Sequence, residues 1–163
     1  MTINSAFAIS AVSDADDLDT VRTLFRAYVD WLGIDLSYQG FEEELAGLPG
    51  KYAPPAGGLF LARRADGTVL GCVGLRAFGD DGASEMKRLY VLPAARGLGV
   101  GTALVARVIE AAKEAGYREM LLDTLPTMTG AIKLYKAAGF EDVPAYYDTP
   151  IAETVFFCKK LAD

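Results

Sequence analysis

The sequence contains no histidine and only two cysteines among its 163 residues. The absence of histidine excludes the common zinc sites and the serine or cysteine triads that depend on an imidazole. Both cysteines, Cys72 and Cys158, stand within apolar, strand-like runs. In such runs a buried hydrophobic role is expected rather than a disulfide or a nucleophile.

The sequence also lacks a long apolar run and an excess of positive charge. No run approaches the roughly 20 residues that a membrane span requires, and the N-terminus lacks a basic flank followed by an apolar core. We therefore expect a cytoplasmic protein without a membrane partner. The formal net charge of −6 argues against a nucleic-acid partner, because such binding needs clustered Lys and Arg. An acidic surface favours a cationic amine as substrate.

The length and the 52% hydrophobic content predict one domain over residues 1–163 with a full core. Apolar periodicity and turn residues predict the elements along the chain. Strands are expected at 7–12, 59–63, 69–77, 85–91, 120–123 and 154–161, and helices at 14–32, 41–48, from the glycine-rich turn to 116, and 129–138. The helix before residue 120 predicts a crossover that makes the strands at 85–91 and 120–123 parallel.

A glycine-rich turn joins the strand at 85–91 to the following helix. Gly97, Gly99 and Gly101 are three glycines in five residues, which indicates a tight turn or a close backbone approach. The first N–H groups of a helix lack internal partners and carry partial positive charge, so this turn is suited to phosphate. A turn that merely packs closely is the structural alternative.

Two nucleotide-binding motifs, the dinucleotide fingerprint and the Walker A loop, also contain glycine-rich turns. A dinucleotide fingerprint fails because Thr102 stands where its last glycine or alanine is required, although Asp123 lies near the usual acidic position. A Walker A loop is excluded because no Gly-Lys-Ser/Thr follows the glycines. A Rossmann oxidoreductase also needs βαβ units on the N-terminal side of the turn, where helices and antiparallel strands are predicted instead.

The segment EMKRLYVLPAARGLGVGTAL resembles the acetyl-coenzyme A motif of the GNAT superfamily of N-acetyltransferases. Arg96, Gly99 and Gly101 fill the signature Arg/Gln-x-x-Gly-x-Gly/Ala, and AIKLYKAAGFEDV is similar to the family's helix with Leu-Tyr followed by Gly-Phe. The resemblance implies an α+β fold with a mixed, mostly antiparallel twisted sheet of about seven strands flanked by about four helices. It also implies that the sheet splays between the parallel strands.

The resemblance implies acetyl transfer from acetyl-CoA to a primary amine of a small molecule or peptide, by direct attack in a ternary complex. It leaves open a homodimer. A non-catalytic module that binds acyl-CoA for regulation remains an alternative, because one fold supports many functions.

The resemblance assigns the acetyl-CoA contacts to matching positions. Backbone N–H groups of the strand end hold the thioester carbonyl, those of the turn hold the pyrophosphate, and Arg96 supports the phosphates or fixes the turn. Thr127 stands near the place where the family often has an asparagine, so that contact is in doubt. The implied set is Leu89, Tyr90, Val91, Arg96, Gly97, Leu98, Gly99, Val100, Gly101, Thr102, Thr127, Lys133 and Tyr135.

Two residues are candidates for proton transfer. Tyr135 matches the family's general acid, and a phenol with a pKa near 10 can protonate a thiolate with a pKa near 8.5. Its alternative role is core packing. Glu85 matches a general base used by some members, where others use water; as a structural residue it would pair with Lys87 or face water.

The amine acceptor is expected between two connections, at 31–41 and 145–151. Their acidic and aromatic side chains could hold a cationic amine. Ordinary surface loops are the alternative. The predicted acceptor residues are Trp31, Asp35, Tyr38, Glu85, Tyr146, Tyr147 and Asp148.

Overall fold

The computed structural model describes residues 7–162, except for the side chain of Tyr38. Within this part the chain forms seven strands and four α-helices. The strands are β1 (Ala8–Ala11), β2 (Gly58–Arg63), β3 (Val69–Phe78), β4 (Ala83–Val91), β5 (Glu119–Thr124), β6 (Glu141–Val143) and β7 (Val155–Lys160). The helices are α1 (Ala15–Leu32), α2 (Phe41–Ala46), α3 (Val100–Glu114) and α4 (Thr129–Ala137).

The strands form one sheet in the order β1-β2-β3-β4-β5-β7-β6. Strands β4 and β5 are parallel, and the other neighbouring pairs in the described chain are antiparallel. The crossover through α3 explains the parallel pair, because parallel neighbours cannot be joined by a hairpin. The mixed, mostly antiparallel sheet with four helices confirms the predicted fold class.

Side chains cover the sheet on both faces. One apolar cluster packs α3 and α4 against the sheet through residues such as Leu104, Val108 and Tyr135. The other packs α1, through Val21 and Phe25, and α2, through Phe41, against the opposite face. The helices therefore bury the single apolar stripe that each sequence period predicts.

Local capping sets the ends of α1. The Asp14 carboxylate accepts a hydrogen bond from Asp17 N at 2.8 Å, and Gly33, at φ 70°, ends the helix. Both signals were readable in the sequence. Within residues 7–162, no helix is long and apolar enough to cross a membrane.

The sheet opens between β4 and β5. Their pairing runs from Ala83–Glu119 to Glu85–Leu121 and then stops, although both strands continue. On its other edge β4 carries one extra residue relative to β3, with a register shift between Cys72 and Gly74. Such a bulge bends a strand and increases its twist, so β4 turns away from β5 and leaves a gap.

Candidate active site

A pocket lies in the gap between the diverging strands, and we call it the central pocket. Helix α1, the end of β4, the end of β5, and α4 all contribute side chains to it. Its lining includes Tyr28, Trp31, Gln39, Met86, Lys87, Arg88, Leu89, Asp123, Thr124, Leu125, Met128, Ala131, Tyr135, Ile151 and Thr154. A gap in a sheet exposes backbone groups that have no neighbouring strand, so it offers hydrogen bonds as well as apolar walls.

The glycine-rich turn enters α3 in a conformation that requires glycine. Gly97 and Gly99 have φ values of 85° and 84°, and a Cβ at either would meet no heavy atom within 4 Å. Their backbone angles, rather than lack of space, therefore select glycine. The first turn of α3 has no side-chain cap and no acidic residue. The N–H groups of this turn that precede Ala103 lie at the helix start, an arrangement that suits the phosphates of a coenzyme A moiety.

Gly101 serves a different purpose from the other two glycines. A Cβ there would lie 2.8 Å from Leu134 Cδ1 and 3.7 Å from Val91 Cγ2. Glycine thus lets the start of α3 approach both α4 and the end of β4. This contact brings the glycine-rich turn next to the central pocket.

Arg96 fixes the turn, the second of its two predicted roles. Its Nε donates to the carbonyl of Val91 at 3.1 Å. Its guanidinium lies 4.8 Å from the ring centroid of Trp31 and 5.9 Å from that of Tyr90. These cation–π contacts connect the turn to α1 and to β4.

The end of β4 presents unpaired backbone to the gap. Leu92 N donates to Leu70 O across the β3–β4 ladder, and Gly71 and Val91 are the next opposed pair. Because hydrogen-bonded and non-bonded pairs alternate in an antiparallel ladder, the N–H of Val91 points away from β3. An extended chain with amide groups, such as pantetheine, fits such an edge.

Tyr135 packs in the core and also lines the central pocket, and its role as a general acid stays a prediction. Its ring packs in the core against Phe140 and Phe157, with centroids 5.9 and 6.3 Å away. The residue also lines the central pocket. Burial, with further contributions from Tyr28 and Asp123, raises the pKa of Tyr135, so its hydroxyl stays protonated at neutral pH and is available as a hydrogen-bond donor.

Glu85 lies behind the central pocket rather than in its lining. Glu85 is only 1% exposed. Its Oε1 accepts a hydrogen bond from Arg76 Nε at 3.0 Å and forms an ion pair with Arg76 Nη2, also at 3.0 Å. Its Oε2 accepts a hydrogen bond from the Tyr146 hydroxyl at 2.5 Å. Neither expected structural partner, Lys87 or water, is the one found, because Arg76 stands directly opposite Glu85 on β3.

Asp123 is the carboxylate that reaches the central pocket. It follows the last buried residues of β5 and accepts a hydrogen bond from the hydroxyl of Tyr147. The rings of Tyr146 and Tyr147 both pack on Phe156, at 5.1 and 5.4 Å. Two phenol–carboxylate pairs therefore stand side by side. In the sequence Asp123 stands out only as part of a dinucleotide motif, and its position near the end of a buried strand is the signal that it reaches the pocket.

Two cations on β4 were not predicted as site residues. Lys87 is 5% exposed, and its Nζ lies 3.3 Å from Oε1 of Gln39. Arg88 forms a two-pronged pair with Glu44 at 3.1 and 3.1 Å and donates to the same Gln39 oxygen at 2.8 Å. The available signal was the interruption of a buried, apolar strand by two adjacent cations.

The two cations differ in their electrostatics. Burial lowers the pKa of Lys87, opposed by Glu85 and Asp123. For Arg88 burial acts in the same downward direction, but Glu44, Tyr52 and Tyr28 together outweigh it and raise the pKa of Arg88. Arg88 also has φ 60°, the one positive value of a non-glycine residue within 7–162. Strained backbone of this kind collects at functional sites.

Several predicted site residues lie outside the lining of the central pocket, among them Asp35, Asp148, Thr127 and Lys133. Asp35 is exposed and accepts a hydrogen bond from Ser37 N at 2.8 Å, which lowers its pKa. Asp148 is exposed beside a separate hollow formed by residues 142–156. The structure therefore does not assemble a cation-binding cleft from these two aspartates. Thr127 and Lys133 are exposed near α4, and their contacts with acetyl-CoA stay predictions.

The remaining predicted acceptor residues divide between the pocket and its surroundings. Trp31, 44% exposed, lines the pocket, whereas Tyr146 and Tyr147 support it from behind through the two carboxylates. The side chain of Tyr38 lies outside the described part of the structure.

Comparison with known proteins agrees with this arrangement. Residues 20–140 match the model of the acetyltransferase (GNAT) family. An uncharacterised N-acetyltransferase of Schizosaccharomyces pombe is 44% identical, over 93% of each chain. The N-acetylaspartate synthetase of Homo sapiens is 31% identical over 83% of this chain and 45% of that protein.

A solved structure shows the same fold. The structure of a candidate acetyltransferase from Salmonella typhimurium, with its cofactor acetyl-CoA, covers 97% of this chain and 95% of that one, with a TM-score of 0.69 and 21% identity. The family match covers most of the chain, including the glycine-rich turn and the helix with Tyr135. The chain therefore belongs to the GNAT family of acetyltransferases, enzymes that use acetyl-CoA as the acetyl donor.

Proposed function

We propose that this enzyme transfers the acetyl group of acetyl-CoA to a primary amine of a small molecule or peptide, by direct attack of the amine in a ternary complex. One observation carries the proposal: Leu89 of β4, Tyr135 and Asp123 line one pocket, and the glycine-rich turn packs through Gly101 against Leu134 of α4, the helix that carries Tyr135. An amine and a thioester can meet in this pocket without a covalent acetyl-enzyme.

The backbone performs the binding of the donor. The N–H groups at the start of α3 hold the phosphates, and Arg96 keeps the turn attached to Trp31 and to the end of β4. The free N–H of Val91 lies on the edge where the family holds the thioester carbonyl, and donates to the oxygen as negative charge develops there. Acetyl-CoA supplies the acetyl group in the activated form of a thioester.

Side chains at the gap perform the proton transfers. An ammonium acceptor with a pKa near 10 must lose a proton before it attacks. We assign that proton to Asp123, because Asp123 lines the pocket whereas both oxygens of Glu85 are engaged by Arg76 and Tyr146. Tyr135 donates a hydrogen bond or its proton to the departing thiolate. Glu85 positions its two partners.

The choice of a small-molecule acceptor has separate support. The human relative is named N-acetylaspartate synthetase, so its product is an N-acetylated amino acid. The central pocket is a recess between diverging strands rather than a long surface groove. Both observations favour a small amine over an extended peptide.

The test combines binding with turnover. At about 100 times its dissociation constant, acetyl-CoA should stabilise the folded protein by about 2.7 kcal/mol and raise the melting temperature, and NADH should not. Amino acids, polyamines, aminoglycosides and peptide amines are then screened for release of the coenzyme A thiol, and mass spectrometry checks for an acetylated product.

Each result has a definite meaning. No stabilisation by acetyl-CoA, or equal stabilisation by NADH, would contradict the proposal at its first step. Stabilisation without turnover of any amine would support the alternative, a non-catalytic module that binds acyl-CoA.

A further inference from the structure

The central pocket contains a buried ammonium group with too few partners. Lys87 is 5% exposed, and the structure gives its Nζ one hydrogen bond, to Gln39 at 3.3 Å. An ammonium group has three donors. Within residues 7–162, Lys87 also has no carboxylate oxygen within 4.0 Å. A buried ammonium group with one neutral partner is costly unless an anion supplies the missing interactions.

The neighbouring charges are already committed to other partners. Glu85 is paired with Arg76 at 3.0 Å, and Glu44 is paired with Arg88 at 3.1 Å. Gln39 offers one carbonyl oxygen to both Lys87 and Arg88, and the Arg88 bond, at 2.8 Å, is the shorter. The protein therefore holds Lys87 in place without neutralising it at close range.

A carboxylate, that of Asp123, lies across the same pocket from Lys87. Asp123 lies on β5 and Lys87 on β4, so the two flank the gap where the strands diverge. Burial lowers the pKa of Lys87, and Asp123 acts against this shift through space, without a direct bond. The pocket is thus positive on its β4 wall and negative on its β5 wall.

A dipolar ligand matches this division of charge. The ammonium of an amino acid would lie towards Asp123, where it loses its proton, and the carboxylate of the same molecule would lie towards Lys87. A polyamine would instead bring a second positive charge to a wall that already holds Lys87 and Arg88. Like charges at close range disfavour such a partner.

We infer that Lys87 binds a carboxylate of the acceptor, and that the acceptor is a small amine of the amino-acid class. This inference rests on the proposed function for the chemistry of the amine. It replaces the cationic acceptor that the acidic composition favoured, because the charge inside the pocket differs from the net charge of the molecule.

The experiment compares acids with their carboxamides in two forms of the enzyme. L-amino acids and the corresponding amino-acid amides are assayed with acetyl-CoA, using wild type and Lys87→Met. The loss of a charge-assisted hydrogen bond should lower kcat/KM for the acid roughly 10- to 100-fold and leave the amide nearly unchanged. The KM for acetyl-CoA should not change. Lys113→Met, at the exposed end of α3, is the matched control and should retain the wild-type preference.

Binding tests the same inference without turnover. Calorimetric titration of the same acids and amides into the protein saturated with coenzyme A should show at least a tenfold preference for the acid, and Lys87→Met should abolish it. Lys87→Gln, which keeps a donor for Gln39, serves if the first variant does not fold. Equal binding of acids and amides to wild type, or an unchanged preference in both variants, would overturn the inference. Failure of acetyl transfer with preserved carboxylate binding would contradict the proposed function alone.

Discussion

The proposed donor end and the proposed acceptor end of the active site are built by different means. At the donor end, Gly97 and Gly99 are exposed, and the groups available to a ligand are backbone N–H groups at the start of α3. At the acceptor end, Glu85, Lys87 and Arg88 are buried and charged. The first region depends on main-chain conformation, and the second depends on the placement of ionisable side chains.

The difference separates a general requirement from a specific one. Every acyl-CoA presents the same phosphates and pantetheine, so a fixed backbone shape is sufficient to hold it. Acceptors differ in charge and size, so they are distinguished by side chains whose desolvation makes each interaction large. We therefore expect mutations at the donor end to abolish binding of one ligand, and mutations at the acceptor end to change rate and preference.

The largest effect is expected at Gly99. Gly99→Glu adds a side chain at φ 84° and places negative charge at the predicted phosphate site. Acetyl-CoA should no longer raise the melting temperature, and turnover should fall below detection. Thermal unfolding with and without acetyl-CoA measures the effect.

Gly116→Glu is the matched control for this change. Gly116 also has positive φ, 87°, is also exposed, and a Cβ there also meets no heavy atom within 4 Å, but it follows the opposite end of α3. Each variant should lose about 1–2 kcal/mol of stability from the strained backbone. Loss of acetyl-CoA binding in both would mean that the turn matters only for folding, and the contrast between the two ends of the site would fail.

The sequence was sufficient to predict the glycine-rich turn and α3 because their requirements are local, whereas the turn's contacts with acetyl-CoA stay a prediction. Three glycines, a preceding arginine and a following apolar period determine a turn and a helix without reference to distant residues. The parallel crossover from β4 to β5 was predictable for a similar reason, since a helix between two strands restricts their geometry.

The acceptor end was less predictable because its partners are distant in sequence. Arg76 pairs with Glu85 across β3 and β4, 9 residues apart in the sequence. Arg88 on β4 pairs with Glu44 on α2, 44 residues apart. Asp35 and Asp148 had the expected chemistry, yet the chain places both outside the pocket. Composition and spacing identify charged residues, but burial decides which of them matter.

The second prediction concerns the residue where the two ends meet. Tyr135→Phe keeps the ring that packs against Phe140 and Phe157 and removes only the hydroxyl. Loss of a general acid should lower kcat roughly 10²- to 10⁴-fold, with acetyl-CoA binding and melting temperature near wild type. Steady-state kinetics, with a check that chemistry is rate-limiting, gives the measurement.

A second tyrosine provides the comparison for Tyr135. Tyr117→Phe removes a hydroxyl that donates to Ala56 O at 2.5 Å, away from the central pocket. It should cost about 0.5–1.5 kcal/mol of stability and leave kcat unchanged. An unaltered kcat in Tyr135→Phe would remove this residue from the mechanism, and low activity with a lower melting temperature would indicate a packing role alone.

The smallest effect is expected within the acceptor end, where the two carboxylates Asp123 and Glu85 are compared with each other. Asp123→Asn removes the proton acceptor that lines the pocket, so kcat/KM for the amine should fall about 100-fold near neutral pH. The deficit should shrink as the pH approaches about 10, because the free amine then no longer needs a base.

Glu85→Gln should instead keep kcat/KM near wild type and lower the free energy of unfolding by about 1–3 kcal/mol, since it weakens the buried pair with Arg76. Rate profiles over pH and denaturant unfolding of both variants separate the two roles. If Glu85→Gln shows the pH-dependent loss and Asp123→Asn does not, Glu85 is the base, as the resemblance implied, and the proton leaves through Tyr146.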